Sequence, residues 1–114
     1  MPLPIIQKQL ADTLLHSFCE KRIPNEHNNR IRLFCKFRGK SVTLIESRPA
    51  MFDKDTWHDL NIAQFRYDAT NGKWTLYFAD RNDNWHMYMD SDPSKDLQDL
   101  IDEVNDDPTG IFFG

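Results

Sequence analysis

One stretch of the chain, from Ile62 to Met89, constrains the fold more than any other. It contains three segments in which apolar and polar residues alternate, and two clusters of turn-forming residues separate them. Alternation with a period of two is typical of strands that bury one face. The first cluster contains Asn71-Gly72, a strong signal for a β-hairpin because its turn needs positive φ at both central residues. The stretch therefore predicts a three-stranded antiparallel meander.

The two turns also predict which side chains share a face. A two-residue loop at Asn71-Gly72 pairs Phe65 with Phe78, and a four-residue loop at 81–84 pairs Phe78 with Met87. The predicted apolar face contains Ala63, Phe65, Tyr67, Trp74, Leu76, Phe78, Trp85, Met87 and Met89. The predicted outer face carries one cation, two phenols and one imidazole, namely Arg66, Tyr77, Tyr88 and His86. Such a set suits a carboxylate, a phosphate or an aromatic partner, although an ordinary exposed sheet face has the same composition.

The residues before the meander predict a helix and a hairpin. Residues 4–21 have the apolar spacing of an amphipathic helix, whose stripe is Ile6, Leu10, Leu14, Leu15, Phe18 and Cys19. Residues 30–38 alternate as a strand does. Gly39-Lys40 then fits a two-residue loop that pairs Phe37 with Val42. The same register sets Leu33 against Glu46, so a charged residue ends an otherwise apolar face.

The remaining segments predict connections, a second helix and a docked tail. Residues 25–29 form a polar connection, and residues 50–60 form the longest one. Asp92-Pro93 has the residue types of an N-cap and a first helical position. The helical stripe that follows is Leu97, Leu100, Ile101 and Val104. The tail, residues 109–114, is apolar enough to dock against the core or an edge strand.

Together these elements predict an α+β fold. An antiparallel sheet of about five strands, a hairpin plus the three-stranded meander, packs against an N-terminal and a C-terminal helix. At 114 residues, we expect a single globular domain spanning residues 1–114. No apolar run has the length of a membrane span, and no signal peptide is visible, so we expect a cytoplasmic location. Cys19 and Cys35 lack the spacing of a metal site and are expected to be reduced, buried thiols, with no metal or cofactor.

The outer face of the predicted first strand is basic. It carries four cations around one ring, namely Arg30, Arg32, Lys36, Arg38 and Phe34. Cations bind phosphates, and an aromatic ring can stack a base for ~1–3 kcal/mol. A solvated face with Phe34 packed on Ile45 explains the same pattern, and the net charge of −4 argues against a general nucleic-acid binder. Nucleic-acid binding is therefore an alternative hypothesis.

A second polar cluster is predicted at one end of the core face, where Glu46, Arg48 and Asp80 lie. A charge there must be paired, or it costs about several kcal/mol. The structural interpretation is an ion-pair network that fixes the register. The functional interpretation is a polar pocket for a ligand or for acid–base chemistry. Asp80 also begins an EF-hand-like run, but Trp85 and Ser91 replace the required glycine and glutamate, so we interpret the run as a turn.

Several segments together resemble a known family. They are Glu46-Ser47-Arg48-Pro49, Trp57, Ile62-Ala63-Gln64-Phe65-Arg66-Tyr67, Trp74, Leu76-Tyr77, Asp80-Arg81-Asn82, Trp85, Tyr88 and the ending Asp107-Pro108 … Phe113-Gly114. Their order and spacing, from about Arg30 onward, are similar to those of the family known as domain of unknown function 3024. The resemblance implies a small bacterial, cytoplasmic protein, and it implies no activity, cofactor or catalytic residue.

The sequence thus favours a small non-catalytic binding or protein-interaction module that uses the outer sheet face or the polar end of the core. The expected partner is an unknown macromolecule or a small anionic ligand. A homodimer through edge strands and the apolar tail is a further hypothesis. The alternatives are a nucleic-acid binder using the basic first strand, and an enzyme with a pocket around Glu46, Arg48 and Asp80. The sequence names no ligand, partner or pathway.

Overall fold

The computed structural model describes residues 3–23, 30–53 and 55–113. In chain order, the elements are α1 (Ile5–Arg22), β1 (Arg32–Arg38), β2 (Ser41–Pro49), β3 (Trp57–Asp68), β4 (Lys73–Ala79), β5 (Trp85–Met87) and α2 (Leu97–Asp106). The five strands form one antiparallel sheet in the order β1-β2-β3-β4-β5. The predicted α+β fold is confirmed. The predicted polar connection at 25–29 lies outside the described residues.

The β1–β2 hairpin has the predicted register. Phe37 lies opposite Val42, and Leu33 lies opposite Glu46. Gly39, the first loop residue, has a φ of 57°, in the left-handed region that glycine adopts without a steric penalty. The local sequence was sufficient here because the loop type and the apolar alternation indicate the same pairing.

β3 begins earlier than the sequence indicated. Trp57 is its first residue, so the connection after β2 covers residues 50–56 and not 50–60. The β2–β3 register shifts by one residue where Ile62 has no opposite residue. Such an irregularity lets two consecutive side chains, Ile62 and Ala63, both be buried. The β2–β3 pairing joins the hairpin and the meander into one sheet.

The β3–β4 register differs from the prediction by two residues. Phe65 lies opposite Leu76, and the loop contains residues 69–72. The Asp68 side chain accepts the N–H group of Thr70 at 2.9 Å, and that of Asn71 accepts the N–H group of Lys73 at 3.0 Å, which stabilises this longer turn. Because the shift is even, each side chain keeps its predicted face. The buried residues of that face are Ala63, Phe65, Trp74 and Leu76.

The β4–β5 register differs by one residue, so the predicted faces of β5 are wrong. Trp85 lies opposite Ala79, and Met87 lies on the same outer side as Trp85. His86 and Tyr88 therefore lie on the inner side, where Tyr88 is 3% exposed. A shift of one residue moves every side chain of a strand to the other face.

The cause of this shift is a longer loop, residues 80–84, built around Asp80. Its Oδ1 accepts the backbone N–H groups of Asn82 and Asn84 at 2.8 and 3.0 Å. Asp83 adopts a φ of 63°, which asparagine and aspartate tolerate better than most residues. Met89, also predicted on the apolar face, follows β5 and is 78% exposed.

α1 covers nearly the predicted range but buries a different stripe. Its buried residues are Ala11, Leu15 and Phe18, which follow helical spacing. Ile6 and Leu10 were predicted to be part of the stripe, yet they are 76% and 44% exposed. The first turn of α1 contributes no buried side chain. The apolar stripe predicted from the sequence therefore extends beyond the part of the helix that packs against the core.

α2 begins at Leu97 with Asp96 as its N-cap, and the predicted start at Asp92-Pro93 is wrong. Backbone groups of Ser94 hydrogen bond to those of Trp74 at 2.7 and 3.0 Å, which holds this segment extended before the helix. The predicted stripe is buried, namely Leu97, Leu100, Ile101 and Val104.

The C-terminal tail docks on the core, as predicted. Asp107 ends α2 with a φ of 43°, and its carboxylate accepts the N–H groups of Phe112 and Phe113 at 3.0 and 2.8 Å. The Phe112 ring lies 5.1 Å from the Tyr88 ring and is part of the core between the helices and the sheet.

Candidate functional site

The sheet has two different faces. Its inner face shares one core with the buried residues of α1 and α2. The opposite face, here called the outer sheet face, has no helical cover within the described residues. Its outward positions include Arg32, Phe34, Lys36, Arg38, Ser41, Thr43, Ile45, Trp57, Asn61, Gln64, Arg66, Tyr77, Trp85 and Met87.

Arginines stack on aromatic rings at two places on the outer sheet face. The Arg32 guanidinium lies 3.9 Å from the ring centre of Trp57, and that of Arg66 lies 3.8 Å from the ring centre of Tyr77. Both distances are within the range of cation–π attraction. Stacking holds a planar guanidinium in one orientation with its N–H donors at its edge, which is the geometry in which arginine binds phosphates and carboxylates.

A groove of about 730 Å³ crosses the outer sheet face. Lys36 and Arg38 of β1 line it on one side, and Trp85 of β5 lines it on the other. Trp85 lies beside a small residue, Ala79, on the neighbouring strand. The groove is also lined by uncharged hydrogen-bonding side chains, namely Ser41, Thr43, Asn61 and Gln64.

Gln64 connects this groove to the Arg66–Tyr77 pair. Its Nε2 donates to Thr43 Oγ1 at 3.0 Å, and its Oε1 accepts from Arg66 Nε at 2.6 Å. Both ends of the amide are therefore oriented. The result is a continuous polar network from the groove floor to a stacked cation.

Charge is distributed unevenly between the two sides of the molecule. Residues 90–107 contain eight of the 18 acidic residues and a single lysine, Lys95, leaving thirteen basic and ten acidic residues elsewhere. α2, on the inner side of the sheet, belongs to this acidic segment. At outward positions the acidic residues are Asp59 and Asp68, and Asp68 lies opposite Lys73 on the neighbouring strand. The net charge of −4 therefore conceals a basic outer sheet face.

The structure separates the four residues predicted to form the first candidate site. Arg66 and Tyr77 are in contact on the outer sheet face. His86 and Tyr88 lie on the inner side, because the β5 register is shifted by one residue. Trp85 takes their place on the outer sheet face. The binding role of Arg66 and Tyr77 stays a prediction.

His86 and Tyr88 make contacts that stabilise the fold. His86 Nε2 lies 2.7 Å from Asp80 Oδ2, and its ring stacks on Phe78 with 5.4 Å between centroids. The hydrogen bond from His86, together with backbone N–H groups of the loop, lowers the pKa of Asp80. The Tyr88 hydroxyl donates to Glu103 Oε2 at 2.8 Å. Burial and this hydrogen bond raise the pKa of Tyr88.

The second predicted cluster is also divided. Arg48 Nε donates to Glu46 Oε1 at 2.7 Å, as expected for residues two apart on a strand. They line a cleft of about 440 Å³ with Arg22, Ile23, Ile31 and Phe113. Asp80 lies beyond β3 in the β4–β5 loop, where it binds His86. The three-residue pocket around Glu46, Arg48 and Asp80 is not formed, so the enzyme hypothesis loses the geometry on which it depended.

The predicted nucleic-acid residues remain together, with one exception. Arg32, Lys36, Arg38 and Phe34 lie along β1 on the outer sheet face. Arg30 precedes β1. Phe34 is half-buried and lies opposite the buried Ile45, while the Lys36 ammonium lies 5.9 Å from the Phe34 ring centre.

Sequence reasoning missed two aromatic residues of this surface. It placed Trp85 on the apolar face and assigned Trp57 to a loop. Asp80 gave the available signal for Trp85, since an aspartate that precedes Asn82 and Asn84 can accept N–H groups from both and lengthen the turn.

The described residues contain neither a metal-binding cluster nor a membrane-spanning helix. No group of three or more His, Cys, Asp or Glu side chains there could hold a metal ion. None of the helices in the described ranges has the length and apolar character needed to cross a membrane.

A family model described as a domain of unknown function, DUF3024, matches residues 3–114, essentially the whole chain. No curated protein and no solved structure matches the chain.

Proposed function

Because the chain belongs to the DUF3024 family, whose description names no activity, we propose a function from its geometry. The protein is a non-catalytic binding module whose outer sheet face binds single-stranded nucleic acid. The observation that carries the proposal is a groove lined by Trp85, two cations and uncharged hydrogen-bonding groups, on a sheet face that also holds two arginines over aromatic rings.

The cations supply affinity. Lys36 and Arg38 border the groove, and Arg32 and Arg66 are held in place by aromatic rings. Cations along a strand bind successive phosphates and displace counterions, which makes such binding strongly dependent on salt. The acidic residues concentrated in 90–107 lie on the other side and orient an approaching polyanion toward the outer sheet face.

The rings and the groove favour a single strand over a duplex. Trp85 and Phe34 lie on opposite sides of the outer sheet face, where unpaired bases can stack on them. The groove lining of Ser41, Thr43, Asn61 and Gln64 offers donors and acceptors to exposed base edges. A duplex would present phosphates to the cations while its bases stayed stacked on each other, leaving the rings without a role.

Nucleic acid, an alternative in the sequence analysis, here replaces the unknown macromolecule or small anionic ligand that was the expected partner. An acidic protein segment would also bind the cations, but it would not need flat rings beside them. The cytoplasmic location expected from the sequence is part of the proposal.

The test measures binding of a fluorescent oligothymidylate by anisotropy at about 50 and 200 mM salt. Contacts to three or four phosphates predict that affinity falls roughly 20- to 50-fold between these concentrations. Trp85→Ala is expected to weaken binding by about 5- to 150-fold through loss of stacking, ~1–3 kcal/mol. Met87→Ala is the matched control, since Met87 lies on the same strand and face but does not line the groove.

Two charge reversals distinguish binding by the basic outer sheet face from a general effect of the protein's net charge. Lys36→Glu should weaken binding and reduce the salt slope by about one. Lys95→Glu makes the same change within the acidic segment and should leave the slope unchanged. Three results would overturn the proposal. They are no binding at all, equal loss of affinity in Trp85→Ala and Met87→Ala, and displacement of the bound oligothymidylate by an acidic peptide of equal charge as effective as that by unlabelled nucleic acid.

A further inference from the structure

Two cysteines from distant parts of the chain lie close together on the inner side of β1, away from the outer sheet face. Cys19 is in the last part of α1, and Cys35 is in the middle of β1. Their side chains line one cleft, and both are free thiols with partial exposure. The sequence predicted reduced, buried thiols, so their partial exposure is a difference from that expectation. β1 is an edge strand, which explains why the cover over Cys35 is incomplete.

A cleft of about 230 Å³ gives access to the pair. It lies between α1 and β1, and Asp12, His16, Cys19 and Cys35 line it. His16 is largely exposed and pairs with Glu20 at 3.1 Å. A small reagent can therefore approach both sulfur atoms from one side.

The two thiols are not equivalent. The hydrogen bond from Cys35 lowers the pKa of Cys19, despite the opposing effect of burial. The same hydrogen bond, burial, and the negative charges of Cys19 and Asp12 raise the pKa of Cys35. The first proton therefore leaves Cys19, and a thiolate is the reactive form of cysteine. Cys35 remains a neutral thiol beside it.

We propose that Cys19 and Cys35 form a reversible dithiol–disulfide site, with Cys19 as the nucleophile and Cys35 as the resolving thiol. The oxidant is a hydroperoxide, for which hydrogen peroxide is the probe. This site is separate from the outer sheet face and does not depend on the proposed nucleic-acid binding.

The reaction proceeds in two balanced steps. The Cys19 thiolate attacks one peroxide oxygen, the S–O bond forms as the O–O bond breaks, and the released hydroxide takes a proton to become water. This two-electron oxidation converts Cys19 to a sulfenic acid. Cys35 sulfur then displaces the sulfenic oxygen, forming the S–S bond, and the departing hydroxide takes the Cys35 proton to leave as water. A small dithiol reverses the oxidation by thiol–disulfide exchange.

Mass spectrometry of the full chain after treatment with hydrogen peroxide provides the test. The expected product is a monomer that has lost two hydrogen atoms and regains them with dithiothreitol. Before oxidation, iodoacetamide should alkylate Cys19 roughly ten times faster than Cys35 at neutral pH. In urea the two rates should become equal, because the difference comes from the folded arrangement.

Two variants separate the roles. Cys35→Ser should retain a sulfenic acid that dimedone traps at Cys19, while Cys19→Ser should give no trapped product at Cys35 under the same treatment. The wild-type alkylation rates keep the test decisive even if either variant unfolds. Equal alkylation rates in the folded protein, covalent dimers in place of the intramolecular product, or two thiols that survive peroxide unchanged would overturn the proposal.

Discussion

Glu46 is a charged residue on a strand face that is otherwise largely apolar. It lies among apolar residues on the inner face and is 8% exposed, yet its carboxylate needs a hydrogen-bond partner. Arg48 provides this partner from two residues along the strand while its own side chain stays 62% exposed. The pair therefore places the charge at the border between core and solvent.

Arg48→Ala is expected to lower the free energy of unfolding by about 1–2 kcal/mol, because it leaves a mostly buried carboxylate without this donor and because solvent screens part of the pair. Urea denaturation measures the change. Arg81→Ala, in an exposed loop, is the control and should stay within about 0.5 kcal/mol of wild type. Equal effects of the two substitutions would show that the Glu46–Arg48 contact contributes no measurable stability.

The β4–β5 loop shows how an element depends on a single side chain. Asp80 accepts two backbone N–H groups and binds His86, and this arrangement determines which face of β5 carries Trp85. The sequence identified the loop as a turn but not its length. The register of β5 depends on side-chain hydrogen bonds in the loop, which the alternation of apolar residues does not encode. An error of one residue moves every side chain of the strand to the other face.

Asp80→Asn tests the charge within this loop while retaining an acceptor oxygen. The pKa of Asp80 is lowered in the folded protein, chiefly by the hydrogen bond from His86. A group of this kind adds stability above its unfolded pKa, near 4, and the addition is lost as the pH falls through its folded pKa. We therefore expect the variant to have a lower Tm than wild type at pH 7.

The difference in Tm should narrow as the pH falls below about 4, because the wild-type carboxylate is then protonated first in the unfolded chain and, at lower pH, in the folded protein. Circular dichroism melts from about pH 7 to pH 2 measure it. Asp92→Asn changes an exposed carboxylate outside the loop and should show a smaller, flatter difference. A difference for Asp80→Asn that stays constant across this range would contradict the assigned role of its charge.

The whole molecule is a sheet with one face covered by helices and one face exposed, and much of this was predictable. The helices, the β1–β2 register and the apolar face of β3 and β4 follow from local alternation and turn residues. The β2–β3 pairing was not predicted, because it joins segments across the connection 50–56 and adds an irregularity at Ile62. The candidate site was predicted in part for the same reason. Its residues on β1 belong to one strand and stay together in any register, whereas the face on which residues of β3 to β5 lie depends on how those strands pair.

The distribution of charge between the two sides of the sheet is also a property of the whole fold. The net value of −4 argued against a nucleic-acid partner. The fold places the acidic α2 on the side of the sheet opposite to the basic residues of β1, so the average describes neither side.

The most direct test of the central claim is a titration of ¹⁵N-labelled protein with unlabelled oligothymidylate, followed by NMR. The three indole N–H signals serve as reporters. We predict that Trp85 and Trp57, on the outer sheet face, shift together with backbone amides of β1, and that Trp74, which is 1% exposed in the core, does not. Shifts confined to α2 and its flanking residues, or no shifts at all, would contradict the assignment of the outer sheet face as the binding surface.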